Sequence, residues 1–198
     1  MKKNILSFFL FIFTASIIAQ NIDIDLLKKI NVSRNKNLDN TFIAITNSAT
    51  PISIFVPVAV FCRGLEKDDS IIRNKGLFIG ASFLVSSGVS FGMKYSINRE
   101  RPFTTYSFIE KVTDGGSPSF PSGHTSEAFS TATSLSIAFP KWYVIAPAYL
   151  WACSVGYSRM DLGVHYPSDV LVGAIVGAGS AYVSYKANRW LHNRKGKK

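Results

Sequence analysis

Cysteine and histidine are both scarce in this chain. Its two cysteines, Cys62 and Cys153, lie in or at the edge of apolar runs, without the spacing of a disulfide framework, a metal knuckle or a redox pair. We interpret them as packing residues. The three histidines and the carboxylates lack the paired short spacing of a zinc or di-metal site, so we expect neither a metal nor any other cofactor.

Charge is also sparse, at 17% of the residues, and it falls in clusters between long uncharged stretches. Together with a hydrophobic content of 47%, this pattern is typical of a membrane protein. The formal net charge of +10 is compatible with nucleic-acid binding, but no basic stripe interleaved with aromatic residues is present. Many cations lie at the ends of apolar runs instead, which favours membrane lipids and a phosphate-bearing lipid as partners.

The N-terminal segment resembles a secretory signal. Two lysines precede an apolar run over residues 5–18, and the small residue Ala19 follows. The run is short for a membrane span, which favours cleavage after Ala19, and an uncleaved first transmembrane segment is the alternative. The chain therefore divides into residues 1–19 and one domain over residues 20–198. Either outcome places Asn21 outside the cytoplasm.

A polar segment over Asn21–Asn40 comes next. Ile22, Leu26, Leu27 and Ile30 are spaced to share one face of a helix. Two placements are compatible with this pattern. The helix either lies on the outer membrane surface or packs on the rest of the domain.

The remaining chain contains five apolar runs suited to crossing a bilayer. They are Thr41–Cys62, Gly76–Met93, a run through Leu135–Phe139, Trp142–Tyr157 and a last run from about Asp169 to Tyr185. The sequence thus predicts an all-α bundle of five or six transmembrane helices, the sixth being the N-terminal segment if it is retained.

The distribution of cations predicts the orientation of this bundle. The basic connector Arg63–Lys75 and the basic tail after Lys186 belong in the cytoplasm by the positive-inside rule. Alternation of the spans then places the polar segments Lys94–Ser126 and Ser158–Asp169 together on the outer face. Ionisable groups collected at one membrane interface indicate a functional site.

Three spaced motifs lie in these outer segments. They are Lys94, six residues and Arg101-Pro102; then Pro121-Ser122-Gly123-His124; then Ser158-Arg159, five residues, His165, three residues and Asp169. This arrangement resembles the signature of the type 2 phosphatidic acid phosphatases (PAP2). That family includes membrane lipid phosphate phosphatases and, among its soluble relatives, bacterial acid phosphatases and vanadium haloperoxidases. All three parts are present in order, over about two-fifths of the chain.

The residue types suit the binding of phosphate. Phosphoryl transfer is catalysed mainly by positioning and by stabilising charge, so its site must be positive and rich in donors. Lys94, Arg101 and Arg159 supply charge, and the two guanidinium groups can bind phosphate oxygens in a bidentate manner. Ser122 and Gly123 precede a predicted span, so their amides are expected to face an anion from a helix N-terminus.

The resemblance also implies catalytic roles. His165 would be the nucleophile that forms a phosphohistidine, with Asp169 holding its other ring nitrogen, and His124 would protonate the leaving group. If the helix has begun by His165, the four-residue separation places His165 and Asp169 on one helical face. His192, in the basic tail, is interpreted as a solvated surface residue, and the roles of Glu127 and Asp114 stay open.

We therefore expect a metal-independent lipid phosphate phosphatase in the inner membrane of a bacterium, with its active site facing the periplasm. The motifs do not select the lipid, and undecaprenyl diphosphate, phosphatidylglycerol phosphate, phosphatidic acid and lipid A remain candidates. Selection is expected to come from Asn21–Asn40 and Phe103–Ser119. The alternative from another class is a non-enzymatic transporter or assembly protein, but transport would place ionisable groups near mid-membrane.

Overall fold

The computed structural model describes the backbone of residues 21–195 and the side chains of residues 21–190. The predicted cleavage after Ala19 lies outside these residues. Within them the regular structure is entirely helical. The helices are α1 (residues 21–32), α2 (Asp39–Asn47), α3 (Ala49–Glu66), α4 (Ser70–Ile97), α5 (Pro102–Thr105), α6 (Gly123–Ala138), α7 (Trp142–Asp161) and α8 (Pro167–Lys195), and a 3-10 turn over Lys36–Leu38 leads into α2.

The predicted all-α membrane bundle is confirmed. Among the residues that the structure describes, three helical stretches are long and apolar enough to cross a bilayer, namely Lys36–Glu66, Ser70–Thr105 and Pro167–Trp190. The other two predicted spans correspond to α6 and α7. Helix α6 has only 16 residues, but it packs against α3, α4, α7 and α8 and so forms the centre of the bundle.

The first predicted span, Thr41–Cys62, is interrupted. Helix α2 ends at Asn47 and α3 begins at Ala49, with Ser48 between them. Pro51 explains the position of the break, since a proline cannot donate to the carbonyl four residues before it and its ring crowds that carbonyl, here the one of Asn47. The break lies near the end of the bundle at which α2 packs against α7.

Glycine residues bring α8 against α6. A Cβ atom at Gly173 would lie 2.7 Å from the backbone oxygen of Ser122, and one at Gly177 would clash with the backbone oxygen of Ser126. Small residues spaced four apart permit close backbone approach between membrane helices. On another side of α6, the hydroxyl groups of Ser90 on α4 and Ser126 lie 2.7 Å apart. The first turn of α6 is thereby fixed between α4 and α8.

Helix α1 packs on the domain, one of its two predicted placements. Its buried stripe runs through Asp23, Leu27 and Asn31, which are at most 8% exposed. Of the predicted apolar face only Leu27 is fully buried, whereas Ile22 and Leu26 are 61% and 44% exposed. The predicted face was therefore wrong in part, because polar residues with specific partners form two thirds of the contact stripe.

The two ends of the bundle carry different segments of the chain. At one end the second turn of α4 meets the α6–α7 turn, and the ammonium group of Lys75 lies 4.4 Å from the centre of the Phe139 ring. At the other end α4 terminates at Asn98, which has a left-handed backbone with φ of 49°. The start of α6 and the α7–α8 loop lie at that same end, so the motif-bearing segments are brought together.

Candidate active site

A cavity of about 330 Å³ opens where α4 ends, α6 begins and α7 joins α8. Its lining residues are Lys94, Arg101, Asp114, Gly115, Gly116, Ser117, Gly123, His124, Glu127, Arg159 and His165. Six of the eight predicted site residues are among them. The other two, Ser122 and Asp169, are buried behind the residues that line the cavity. Three motifs that are distant in sequence therefore converge on one cavity.

His165 lies in the loop before α8, which begins at Pro167. The condition for a shared helical face, a helix that has begun by His165, is therefore not met, but Nδ1 of His165 still lies 3.4 Å from Oδ2 of Asp169. Its Nε2 lies 3.4 Å from Nη1 of Arg101 at the cavity. His165 is 1% exposed, and this burial lowers its pKa to about 3, while the contact with Asp169 acts in the opposite direction. The ring is thus neutral, and a proton on Nδ1 satisfies both contacts.

A sharp turn after α7 presents His165 to the cavity. The amides of Val164 and His165 both donate to the backbone oxygen of Arg159, at 3.1 and 3.2 Å. Gly163 has a φ of +74°, and a Cβ atom there would clash with the backbone oxygen of Glu110. Glycine is required at this position on both counts. The turn therefore holds the arginine and the histidine of the third motif at the same cavity.

The carboxylate of Asp169 is surrounded by donors. Its Oδ2 accepts from the amide of Tyr166 at 3.0 Å and from the hydroxyl of Ser119. Its Oδ1 accepts from Nη1 of Arg99 at 2.7 Å. Arg99 falls among the six unspecified residues of the first motif and Ser119 lies outside all three motifs, so neither residue was a predicted site residue.

Arg101 is held from two sides. Its Nε donates to the backbone oxygen of Ser117 and its Nη1 to that of Val164, each at 2.8 Å. Gly115 packs directly on the guanidinium group, so that a Cβ atom at this position would lie 2.7 Å from Nη1. The group has little freedom to move, which suits bidentate binding of an anion.

Arg159 and Lys94 add positive charge to the cavity, and the groups that accept their hydrogen bonds are all neutral. Arg159, 2% exposed, donates to the hydroxyl of Thr46 at 2.7 Å and to the backbone oxygen of Asp114 at 3.2 Å. Its buried Nε has no hydrogen-bond partner within residues 21–190. Lys94 donates to the backbone oxygen of Pro118 at 2.7 Å. Buried cations without a carboxylate partner are costly, and an anion in the cavity would offset that cost.

The second motif forms the start of α6. Ser122 is the N-cap residue, but its amide donates to the backbone oxygen of Asp169 at 3.0 Å and its hydroxyl lies 2.7 Å from that of Thr125. Its amide is therefore engaged within the protein. Gly123 and His124 line the cavity from the first turn of this helix, where free amides and the helix dipole favour an anion.

Glu127 follows His124 by one helical turn and also lines the cavity. Its Oε2 accepts from the hydroxyl of Thr50 at 2.6 Å. Asp114 is exposed, and its contribution to the site is the backbone oxygen that binds Arg159. In the part of the chain that the structure describes, no group of three histidine, cysteine or acidic side chains is placed to hold a metal ion. The residues present supply the positive charge of the site themselves.

Comparisons with known sequences place this site in a family. The model of the PAP2 superfamily matches residues 75–193, more than half of the chain. The undecaprenyl-diphosphatase of Sulfolobus acidocaldarius is 29% identical over 171 residues, which cover 83% of this chain and 79% of that protein. The lipid A 4'-phosphatase of Bacteroides thetaiotaomicron is 35% identical over 88 residues, 44% of this chain and 39% of that protein.

Solved structures agree with the sequence comparisons. LpxE of Aquifex aeolicus matches with a TM-score of 0.71 and 28% identity over 83% of this chain and 95% of its own. The transmembrane PAP2-type phosphatidylglycerolphosphate phosphatase of Bacillus subtilis matches with a TM-score of 0.71 and 26% identity over 93% and 95%. The chain belongs to the PAP2 superfamily and is a lipid phosphate phosphatase of that family.

Proposed function

We propose that this phosphatase hydrolyses a phosphomonoester or diphosphate of a membrane lipid through a covalent phosphohistidine on His165. One observation carries the proposal. The neutral His165 ring directs Nε2 into a cavity that also holds Arg101, Arg159 and Lys94. A nucleophile is thereby placed beside three cations suited to the equatorial oxygens of a transferring phosphoryl group.

In the first step, Nε2 of His165 attacks phosphorus while the bond from phosphorus to the leaving oxygen breaks. The negative charge of the bound phosphate favours the protonated form of His124, which donates its proton to that oxygen, and the lipid alcohol or lipid monophosphate departs. The proton on Nδ1 of His165 stays directed at Asp169, whose negative charge stabilises the ring as it becomes positive. Arg101 and Arg159 hold the phosphoryl oxygens through this step.

In the second step, water attacks the phosphohistidine and its proton passes to His124. Phosphate leaves with the P–O bond to water formed and the P–N bond broken, and His165 returns to its neutral form. Two displacements at phosphorus retain its configuration. No step requires a metal ion, since the cations of the cavity balance the developing charge.

The proposed location is the inner membrane of a bacterium, with the cavity on the periplasmic side. Support comes from the cations of residues 63–75 and from Lys186 and Arg189 near the end of the described chain, which lie at the end of the bundle away from the cavity. Single cysteines at Asp69 and Gly115, in a chain with Cys62 and Cys153 replaced by serine, test it. We expect an impermeant thiol reagent to label only position 115 in cells whose outer membrane is permeabilised. Labelling of position 69 alone would invert the orientation.

Phosphate release by the purified protein tests the activity and selects the substrate. The panel contains undecaprenyl diphosphate, phosphatidylglycerol phosphate, phosphatidic acid and lipid A, each with and without chelator. Undecaprenyl diphosphate comes first, because the undecaprenyl-diphosphatase relative aligns over 83% of the chain. We expect turnover of at least one lipid, equal with and without chelator and absent in His165→Ala. Equal activity of His165→Ala would refute the assigned mechanism.

A further inference from the structure

An ion-pair network joins α1 to the back of the active site. Arg99 lies between two carboxylates, with Nη2 at 2.8 Å from Oδ2 of Asp23 and Nη1 at 2.7 Å from Oδ1 of Asp169. Its guanidinium carbon lies 3.8 Å from the centre of the Tyr166 ring. Asp23 and Asp169 are 8% and 0% exposed. The network therefore runs from a helix outside the three motifs to the carboxylate that faces His165.

Asp23 also binds the start of α8. Its Oδ1 accepts from the amide of Ser168 at 2.8 Å, and its Oδ2 accepts from the hydroxyl of the same residue. Ser168 is the second residue of α8, where an amide has no partner within its own helix. A carboxylate from α1 thus caps the helix whose third residue is Asp169. Both the backbone before Asp169 and its Oδ1 depend on this one side chain, directly or through Arg99.

We propose that Asp23 and Arg99 are positioning residues that fix the carboxylate of Asp169 against His165, which makes α1 a structural part of the active site. This inference rests on the roles proposed above for His165 and Asp169. Arg99 holds Oδ1 and stops the carboxylate from rotating, so that Oδ2 stays directed at Nδ1 of His165. Partners of this kind orient catalytic groups without touching the substrate.

The geometry of Arg99 requires a guanidinium group. Two different nitrogens bind two different carboxylates, and Nη1 also donates to the hydroxyl of Ser168 at 2.7 Å. An ammonium group at the end of a lysine can hold the Asp169 contact but cannot reproduce the planar fork. The inference therefore predicts a graded series, in which Arg99→Lys is intermediate between the native protein and Arg99→Gln.

The test compares kcat, KM and thermal stability in Asp23→Asn, Arg99→Lys and Arg99→Gln. Arg34→Gln is the matched control, because Arg34 pairs with Asp39 at 3.0 Å and Glu110 at 2.9 Å without contacting the cavity. We expect kcat to fall on the order of 100-fold in Arg99→Gln and about 10-fold in Asp23→Asn, with KM nearly unchanged. In Arg34→Gln we expect a lower melting temperature and a native kcat.

The outcomes separate this inference from the proposed function. If His165→Ala is inactive while Asp23→Asn and Arg99→Gln keep the native kcat, the positioning role is wrong and the phosphohistidine mechanism stands. If kcat also falls in Arg34→Gln, and falls in every variant in proportion to the loss of melting temperature, the network is only structural and the inference is wrong. If His165→Ala is active, the proposed mechanism fails first and the positioning role fails with it.

Discussion

Gly115 allows a test of the role of Arg101, because it packs on the guanidinium group and has no side chain that could take part in the reaction. In Gly115→Ala the new Cβ atom would lie 2.7 Å from Nη1, 2.9 Å from Cζ and 3.1 Å from Nε of Arg101. Ordinary contacts between such atoms are about 3.5–4.0 Å, so the guanidinium group must move by about 1 Å. That movement strains the bonds to Ser117 and Val164, which anchor it at 2.8 Å each.

A displacement of about 1 Å in a substrate-binding group can cost on the order of 100-fold in rate, or ~2.7 kcal/mol of transition-state stabilisation. We therefore expect kcat/KM for the lipid substrate to fall by about that factor in Gly115→Ala. The fold should persist, because no positive φ is found at this residue and the loop is only partly buried. Phosphate release and thermal unfolding, measured on the same preparation, separate the two effects.

Gly116→Ala is the matched control. A Cβ atom at Gly116 would have no neighbour within 4 Å, although the residue lines the same cavity and lies in the same loop. We expect nearly native kcat/KM in this variant. Equal kcat/KM in the two variants would show that the position of Arg101 does not limit catalysis, and the bidentate role assigned to it would have to be abandoned.

Other substitutions test the remaining groups of the cavity through phosphate release. Arg101→Lys and Arg159→Lys should each lose on the order of 100-fold in kcat/KM, because an ammonium group cannot donate in a bidentate manner; retained activity in both would make them anchors only. His124→Ala should lose activity on an alkyl phosphate but keep part of it on an aryl phosphate, whose leaving group needs little protonation. Gly123→Ala should fold normally, since its Cβ atom would lie 3.7 Å from Cε of Lys94, an ordinary contact. It should raise KM by crowding the phosphate, whereas an unchanged KM would mean that the phosphate binds elsewhere.

Much of this architecture follows from local features of the sequence. Uncharged runs long enough to cross a bilayer specify helices, since backbone groups in lipid must be satisfied within the segment. Cations at the ends of these runs then predict which loops share a face, and the motifs meet there. Whether α8 begins by His165 was left open, although Pro167, which suits the first turn of a helix, indicates a start after His165.

The network behind His165 could not be read from the sequence. Asp23 and Arg99 are 76 positions apart, and neither residue differs in type from an ordinary surface charge. Their pairing depends on how α1 lies across the start of α8, which tertiary packing decides. The amphipathic pattern of α1 was misleading for the same reason, because Asp23 and Asn31 are buried by specific hydrogen bonds rather than by hydrophobicity.

The covalent intermediate is the most direct test of the central claim. Protein mixed rapidly with phosphate-labelled lipid and quenched in base should carry a phosphoryl group that is stable in alkali and labile in acid, located on the peptide that contains His165. The label should be absent in His165→Ala, and turnover of a chiral phosphate should retain configuration at phosphorus. Labelled phosphate trapped on His165→Ala, or inversion by the native enzyme, would contradict a double displacement through this histidine.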